Sequence, residues 1–560
     1  MNTESTGEGN LLKKCSAVIL RGLTVVLSAA AVSCSHGRIV ENPLCGQAGN
    51  LRVLRIGVAD TATLVDVAVI GYPDSLFAIG GDKPCETPYL TGHQSGRRYR
   101  YLGSDDLQIG HRYTHDTTGC MRFAMRFEPL DPAEREIDLT ASAESSLNAG
   151  GITLVQPDSL RKVPVCRVEG VLSDRPATRA LLLCRWLDYD DNVRGIVQKS
   201  RVIPVENGCF GCEIPADGDL YILIPWNEYV MSGWYQCQFF AEKGKVCIEW
   251  GAEAPTAVEG GRLNAEKASL AAPMRVVEET YGPRIDAFYD QPDEAYMSAR
   301  ACGIIAQARS ETDPDKRDSL IGEFHALSEE ELYRPEFHAL LSEYRAEMKK
   351  AADATLHRAE SDVRLGYLPW VISRICSYDR QDDRDGIMRL AGIYAGRFAG
   401  NPLGERLGEY LRAASVEVGG RYMDFEAPDR AGAMHRFSDM IEGSRIVLLD
   451  MWASWCGPCR RAAMRNKPIY EKYRDRGFVV VSVAREFGST DALDAAVARD
   501  GYEWPVLVEL DDRISLWRTY NAGDSGGLLV LIDPATREIL ARNPSAEQIE
   551  QTVARYCGGE

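Results

Sequence analysis

Clustered positive charge, histidine and long apolar runs are all scarce in this 560-residue chain. Lysine and arginine total 64 against 82 aspartates and glutamates, a formal net charge of −18, and no basic cluster offsets that balance. A surface built to hold a phosphate backbone is therefore excluded, and no nucleic-acid partner is expected. Histidines number 8. Between 256 and 420, His325, His338 and His357 stand singly among charges, without an HxxxH pair, and read as surface or packing residues. Neither a metal site nor a cofactor is expected. The 16 cysteines are numerous, but their irregular spread does not make the dense framework of a disulfide-stapled domain. The N-terminal apolar run, Gly22 to Ser33, has 12 residues, short of the ~20 that a bilayer core requires.

What the N-terminus does hold is an address. Lys13, Lys14 and Arg21 precede that apolar run, which ends in small residues, the layout of a secretory signal over 1–33. Ala31-Val32-Ser33-Cys34 resembles a bacterial lipobox. The resemblance implies cleavage before Cys34, lipidation of its thiol, and an anchor to a membrane of the cell envelope. Plain secretion is the alternative, because Ala31 stands where such boxes usually carry leucine.

The length suggests three or four domains at about 150 residues each. From 40 to 140, short alternating apolar runs such as Leu51 to Ile56 and Cys120 to Phe127 lie between Gly, Pro and Asp punctuation. Period-two alternation marks half-buried strands, and their number predicts a β-sandwich-like domain. The polar stretch Thr140 to Gly151 reads as a linker. A second β-rich domain is expected over 160–252, with strands at Ala180 to Trp186, Arg201 to Val205, Leu220 to Pro225, Tyr235 to Phe240 and Lys245 to Trp250. It contains a CxxC, Cys209 to Cys212, with no second pair at zinc-like spacing nearby. On a strand, residues three apart point to opposite faces, so these sulfurs are expected to diverge.

From 256 to 420 the pattern turns helical, with apolar positions three and four apart in Ser298 to Arg309, Leu320 to Leu327, Glu336 to Ala352 and Leu403 to Val416. No catalytic constellation stands out in this stretch, which reads as a helical spacer or dimerising element.

The chemistry concentrates in 421–560. Ile446 to Met451 is an apolar run that predicts a buried strand, followed by Cys456-Gly457-Pro458-Cys459 and a helical pattern through Tyr473. A strand-to-helix turn places the first thiol at a helix N-terminus, where unpaired N–H groups and the helix dipole favour the reactive thiolate. Pro458 suits the first helical turn, where its missing N–H costs little. Asp450, Trp452, Ala453, Trp455, Cys456, Gly457, Pro458 and Cys459 together resemble the thioredoxin fold. With Asp424 to Pro428 ahead of them, they resemble the membrane-tethered TlpA/ResA group of thiol–disulfide oxidoreductases. The whole layout, with β domains and helices in front, looks like a multidomain Bacteroidetes lipoprotein.

The resemblance implies that Cys456 attacks a substrate disulfide, Cys459 resolves the mixed disulfide, and buried Asp450 moves a proton. Trp455, Gly457 and Pro458 would shape the substrate surface. Thioredoxins place a cis-proline opposite the cysteines, whereas Gly526-Gly527 fall there in this chain. Glycine lets a backbone approach closely, so main-chain pairing with a substrate survives, while a guard against metal bridging of the thiols is lost. The acidic residue often found after the second cysteine is replaced by Ala462-Ala463. The function implied is reduction of protein disulfides outside the cytoplasm, fed by an upstream membrane electron donor. The alternatives are a disulfide isomerase, assisted by homodimerisation, and a non-catalytic envelope binding lipoprotein.

Overall fold

The computed structural model describes residues 38–558 apart from 44, 46, 49, 73, 81–86, 142–146, 155–163, 174, 176, 192–199, 228–234, 252–254, 377–383 and 524–526. The signal segment with Cys34, and Gly526, lie outside the described residues. The chain divides into two compact units, Met1–Thr355 and Leu356–Glu560.

In the first unit nine of the strands from Arg38–Glu41 to Ala149–Thr153 join in one sheet around an apolar core that includes Val65, Val67, Phe123 and Phe127, while Leu76–Ala78 and Arg112–Thr114 pair separately. Ala149–Thr153 corrects the linker expected over Thr140 to Gly151: it pairs antiparallel with Glu136–Thr140 and with Gln47–Ala48. Gly150-Gly151 reads as a turn signal in sequence, but here the pair sits within a strand that Ile152 anchors in the core.

Two four-stranded sheets follow and share one core, filled by Val168, Leu181, Phe210, Leu223 and Trp250. The strands Ala180–Arg185 and Leu220–Pro225 read as unbroken apolar runs because both faces are covered. Leu181 and Leu183 face the shared core, while Leu182 and Cys184 enter a second cluster with Leu54, Ala68 and Ile70 of the first sheet. The two β regions are thus packed on each other. Trp186 starts a short helix, Trp186–Asp190, instead of ending the preceding strand.

The helical stretch includes Arg262–Tyr289, a 28-residue helix that the apolar pattern does not announce. Pro273 and Pro283 lie within it, and only Leu263, Asn264, Glu266 and Leu270 are buried. The expected helices do form, as Ala299–Ser310, Pro314–His325, Pro335–Ser361 and, in the second unit, Pro402–Ala414. No helix among the described residues is long and apolar enough to cross a membrane.

The second unit opens with α1 (Leu368–Cys376), α2 (Arg384–Arg397) and α3 (Pro402–Ala414). The hairpin β1 (Glu426–Pro428) and β2 (Met434–Arg436) follows. A five-stranded sheet is then built from β3 (Ile446–Trp452), β4 (Phe478–Glu486), β5 (Val506–Leu510), β6 (Leu528–Asp533) and β7 (Glu538–Arg542), in the order β5-β4-β3-β6-β7. β3, β4 and β5 run parallel, joined through α4 (Gly457–Tyr473) and α5 (Asp491–Asp500); β6 and β7 are antiparallel additions. α6 (Leu516–Thr519) and the closing α7 (Ala546–Cys557) complete the layers.

Every residue of β3 is buried, and the pleat sorts them. Val447, Leu449 and Met451 enter the core that holds Phe437, Trp517 and Tyr520. Ile446 and Leu448 meet Ile469 and Tyr473 of α4 and Ile549 and Val553 of α7. Asp450 falls on the second of these faces by period two.

Candidate active site

β3 delivers the chain to a helix start. Cys456 is the N-cap of α4, and its sulfur accepts from the Cys459 backbone N–H at 3.3 Å. Gly457 and Pro458 form the first turn, and Cys456 and Cys459 are joined as a disulfide with their Cα atoms 5.4 Å apart. One helical turn brings residues three apart onto one face, which is why this spacing closes a bridge here. Cys459 packs against the cluster of Trp452, Ala484 and Leu493. When the bridge is reduced, a thiolate at Cys456 meets the positive end of α4.

Asp450, on β3 ahead of this turn, is 2% exposed. Burial raises its carboxyl to about 7, against the lowering influence of the Ser482 hydroxyl. Ser482, opposite Asp450 in the β3–β4 register, donates to Asp450 Oδ2 at 2.9 Å and accepts from the indole Nε1 of Trp504 at 2.6 Å. Tyr502 stacks on Trp452 with ring centroids 4.6 Å apart, and lies edge-on to Trp504 at 5.4 Å. Its phenol is pushed up in pKa by burial first and by the Asp450 charge second, so it stays neutral.

The entry to the turn is held from below. Buried Glu486, at the end of β4, accepts from the Ser454 N–H at 2.8 Å and the Ser454 hydroxyl at 2.7 Å. Just past Cys459, Arg460 makes a bidentate pair with Asp500 at 2.6 Å for both bonds. Trp455 is 43% exposed on the surface beside the cysteines. Gly527 stands directly over the site: a Cβ there would lie 2.2 Å from the Met451 carbonyl oxygen and 3.0 Å from Cys459 Sγ. Pro505 is exposed, and its carbonyl accepts from the Ser482 N–H at 3.0 Å, away from that position.

Cys456, Cys459, Trp455, Gly457, Pro458 and Gly527 therefore come together around one turn, with Asp450 buried on the strand that leads into it. Ser482, Trp504, Tyr502 and Glu486 join them without having been expected. The available signal was polarity inside an apolar strand, since Ser482 and Glu486 interrupt FVVVSVARE. Cys209 and Cys212 lie together on the strand Cys209–Pro215 and are unbridged.

The AhpC/TSA family matches residues 418–536. The chain is 25% identical over 144 residues to the thiol-disulfide oxidoreductase ResA of Geobacillus kaustophilus, covering 25% of this chain and 79% of that protein. It is 32% identical over 88 residues to thioredoxin 1 of Synechococcus elongatus, covering 14% of this chain and 82% of that protein. Among solved structures, the thioredoxin domain of a thiol-disulfide oxidoreductase from Bacteroides vulgatus is 22% identical, with a TM-score of 0.23, covering 25% of this chain and 97% of that one. The C-terminal domain is thioredoxin-like, and its ResA-type relatives are thiol–disulfide oxidoreductases.

Proposed function

We propose that this redox enzyme, a thiol–disulfide oxidoreductase of the ResA type, reduces protein disulfides outside the cytoplasm through the dithiol of Cys456 and Cys459. The observation that carries the reading is a dithiol/disulfide pair at a helix N-terminus, above a buried carboxyl on the neighbouring strand. The Cys456 thiolate attacks one sulfur of the substrate disulfide and expels the other as a thiolate, which solvent protonates. Cys459 gives its proton to Asp450 and attacks Cys456 Sγ, expelling the second substrate sulfur as a thiolate that solvent protonates and leaving the Cys456–Cys459 disulfide. Two electrons pass to the substrate, and a dithiol donor at the membrane returns the enzyme to its reduced form.

Trp455, Gly457, Pro458 and the Gly526-Gly527 backbone form the surface on which the substrate strand lies. Gly527, having no Cβ, lets the backbone lie close against Cys459. The redox domain spans 421–560. The β region that ends with Ala149–Thr153, the β-rich module over 160–252 and the helices of 256–420 hold it away from a membrane to which lipidated Cys34 ties the chain, and offer a surface for pairing of two copies.

The test is insulin-disulfide reduction with dithiothreitol, comparing the chain beginning at Cys34 with its Cys456→Ser variant. Turnover that disappears in the variant is expected. No turnover in either, with both thiols accessible, replaces this reading by a binding protein or by a reductase selective for a narrow set of partners.

A further inference from the structure

Asp450 is buried in a face that is otherwise apolar, and one oxygen of its carboxyl is spoken for. Ser482 Oγ has two partners among the described residues, Trp504 Nε1 at 2.6 Å and Asp450 Oδ2 at 2.9 Å. An indole N–H is a donor only, so the serine oxygen accepts from it. A hydroxyl carries a single hydrogen, and the one acceptor remaining for it is Asp450 Oδ2. The direction of the chain is therefore fixed as Trp504 to Ser482 to Asp450. Asp450 Oδ1 takes no part in it and has no hydrogen-bond partner among the described residues.

We infer that Ser482 and Trp504 are positioning residues that orient the Asp450 carboxyl, occupying Oδ2 and leaving Oδ1 as the atom that takes the Cys459 proton. This rests on the proposed role of Asp450 in resolution. The other groups around the carboxyl do not compete for the role. Leu529, opposite it on β6, is apolar. Tyr502 remains neutral, and Arg460 and Asp500, whose charges reach Tyr502, neutralise each other in their bidentate pair. Trp504 is itself held by edge-on contacts with Tyr470 and Tyr502, at 5.3 and 5.4 Å, so its N–H is fixed before the serine meets it.

A hydrogen bond donated to a carboxylate favours the charged form. Without it, burial alone acts on Asp450, and the acid form persists to higher pH. The measurement is made on the full chain in two ways. Infrared titration of the protonated carboxyl in the oxidised protein, with Asp450→Asn identifying the band, reads the acid directly. Single-turnover reduction of a small aromatic disulfide reads how resolution depends on pH. In Ser482→Ala the infrared midpoint is expected to rise by about one pH unit, with resolution about tenfold slower below the midpoint and equal to the parent well above it. Ser482→Thr, which keeps the hydroxyl, returns both readings to the parent values. Trp504→Phe, which keeps the ring packing and removes the N–H, shifts the midpoint in the same direction by less.

An unmoved midpoint in Ser482→Ala overturns the inference. Should that variant fail to fold, an unmoved midpoint in Trp504→Phe does the same. Turnover that survives Cys456→Ser overturns the redox reading instead, while the infrared titration still decides how the carboxyl is held.

Discussion

Two Cys-x-x-Cys pairs share this chain, and only one of them is a bridge. Cys456 and Cys459 stand at a helix start, where one turn brings their sulfurs together. Cys209 and Cys212 stand on a strand that pairs with Val165–Leu172. There the pleat sends Phe210, Cys212 and Ile214 towards the core and Cys209 and Glu213 outward. Burial raises the Cys212 thiol to about 12 and pushes Cys209 upward as well, which keeps both protonated. The same spacing thus gives a redox couple on a helix and two unrelated thiols on a strand. Backbone geometry, not the motif, decides the chemistry.

The largest effect should follow from exchanging serine for one cysteine of each pair. Cys456→Ser removes the nucleophile and is expected to lower insulin reduction by at least about a thousandfold, the scale on which loss of a covalent nucleophile acts. Cys209→Ser should leave the rate within about twofold, because its sulfur lies on the outward face of a strand in a separate sheet. Equal losses from both variants, measured as initial rates, would show that the strand pair also carries electrons.

The buried acid is the next means of separating the two sites. The folded pKa of Asp450, about 7, is raised above its unfolded value near 4. Its contribution to stability is therefore fully present below pH ~4 and is lost as pH rises through about 7, to a total of roughly 4 kcal/mol. Asp450→Asn keeps the shape without the charge. Its denaturant midpoint should stay flat from pH 5 to pH 9 where that of the parent falls, so the variant is the more stable protein at pH 9 and the slower enzyme at every pH. A parent whose stability does not fall over this range would mean that the carboxyl is solvated in solution.

The motif was legible because it is local: a strand, a cap, a turn and a helix lie within the continuous stretch 446–473. The acid was legible for the same reason, six residues before the first cysteine. Ser482 and Trp504 were not, since only the β3–β4 register and the return of the chain before β5 bring them to Asp450. The β regions showed their strands through alternation, but Ala149–Thr153 was hidden by its glycines, and the pairing that makes it a strand lies in other segments. The 28-residue helix Arg262–Tyr289 was missed because so little of it is buried that no apolar stripe marks a face.

Glycines near the two pairs sharpen the contrast at smaller cost. A Cβ on Gly527 would meet the Met451 carbonyl oxygen at 2.2 Å and Cys459 Sγ at 3.0 Å, so the backbone must move. Gly527→Ala is expected to cost about 1–3 kcal/mol and to slow reduction, since the loop over Cys459 shifts outward. The Cβ of Gly211→Ala, between the strand cysteines, would find nothing nearer than the Val168 carbonyl oxygen at 3.4 Å. That variant should unfold within about 0.5 kcal/mol of the parent and reduce insulin at the same rate. Matching urea midpoints for the two alanine variants would show that the loop above Cys459 is looser than its contacts imply.

Cys212 should matter to stability alone, with no effect on the rate. Its sulfur lies against the core of Val168, Phe210 and Ile214, so it behaves as a compact apolar side chain. Cys212→Val keeps an apolar group of similar size on a strand that favours β-branching, and a change in stability below about 1 kcal/mol is expected. Cys212→Ala leaves a small void and should cost about 1 kcal/mol. Cys212→Ser places a hydroxyl against the same apolar neighbours and should cost more than either, by about 1–3 kcal/mol unless it finds a partner. All three should keep the parent rate of insulin reduction. A ranking of serine below alanine in stability, with activity unchanged, is the signature of a cysteine kept for its packing; activity that follows the sulfur would mean that this thiol takes part in electron transfer after all.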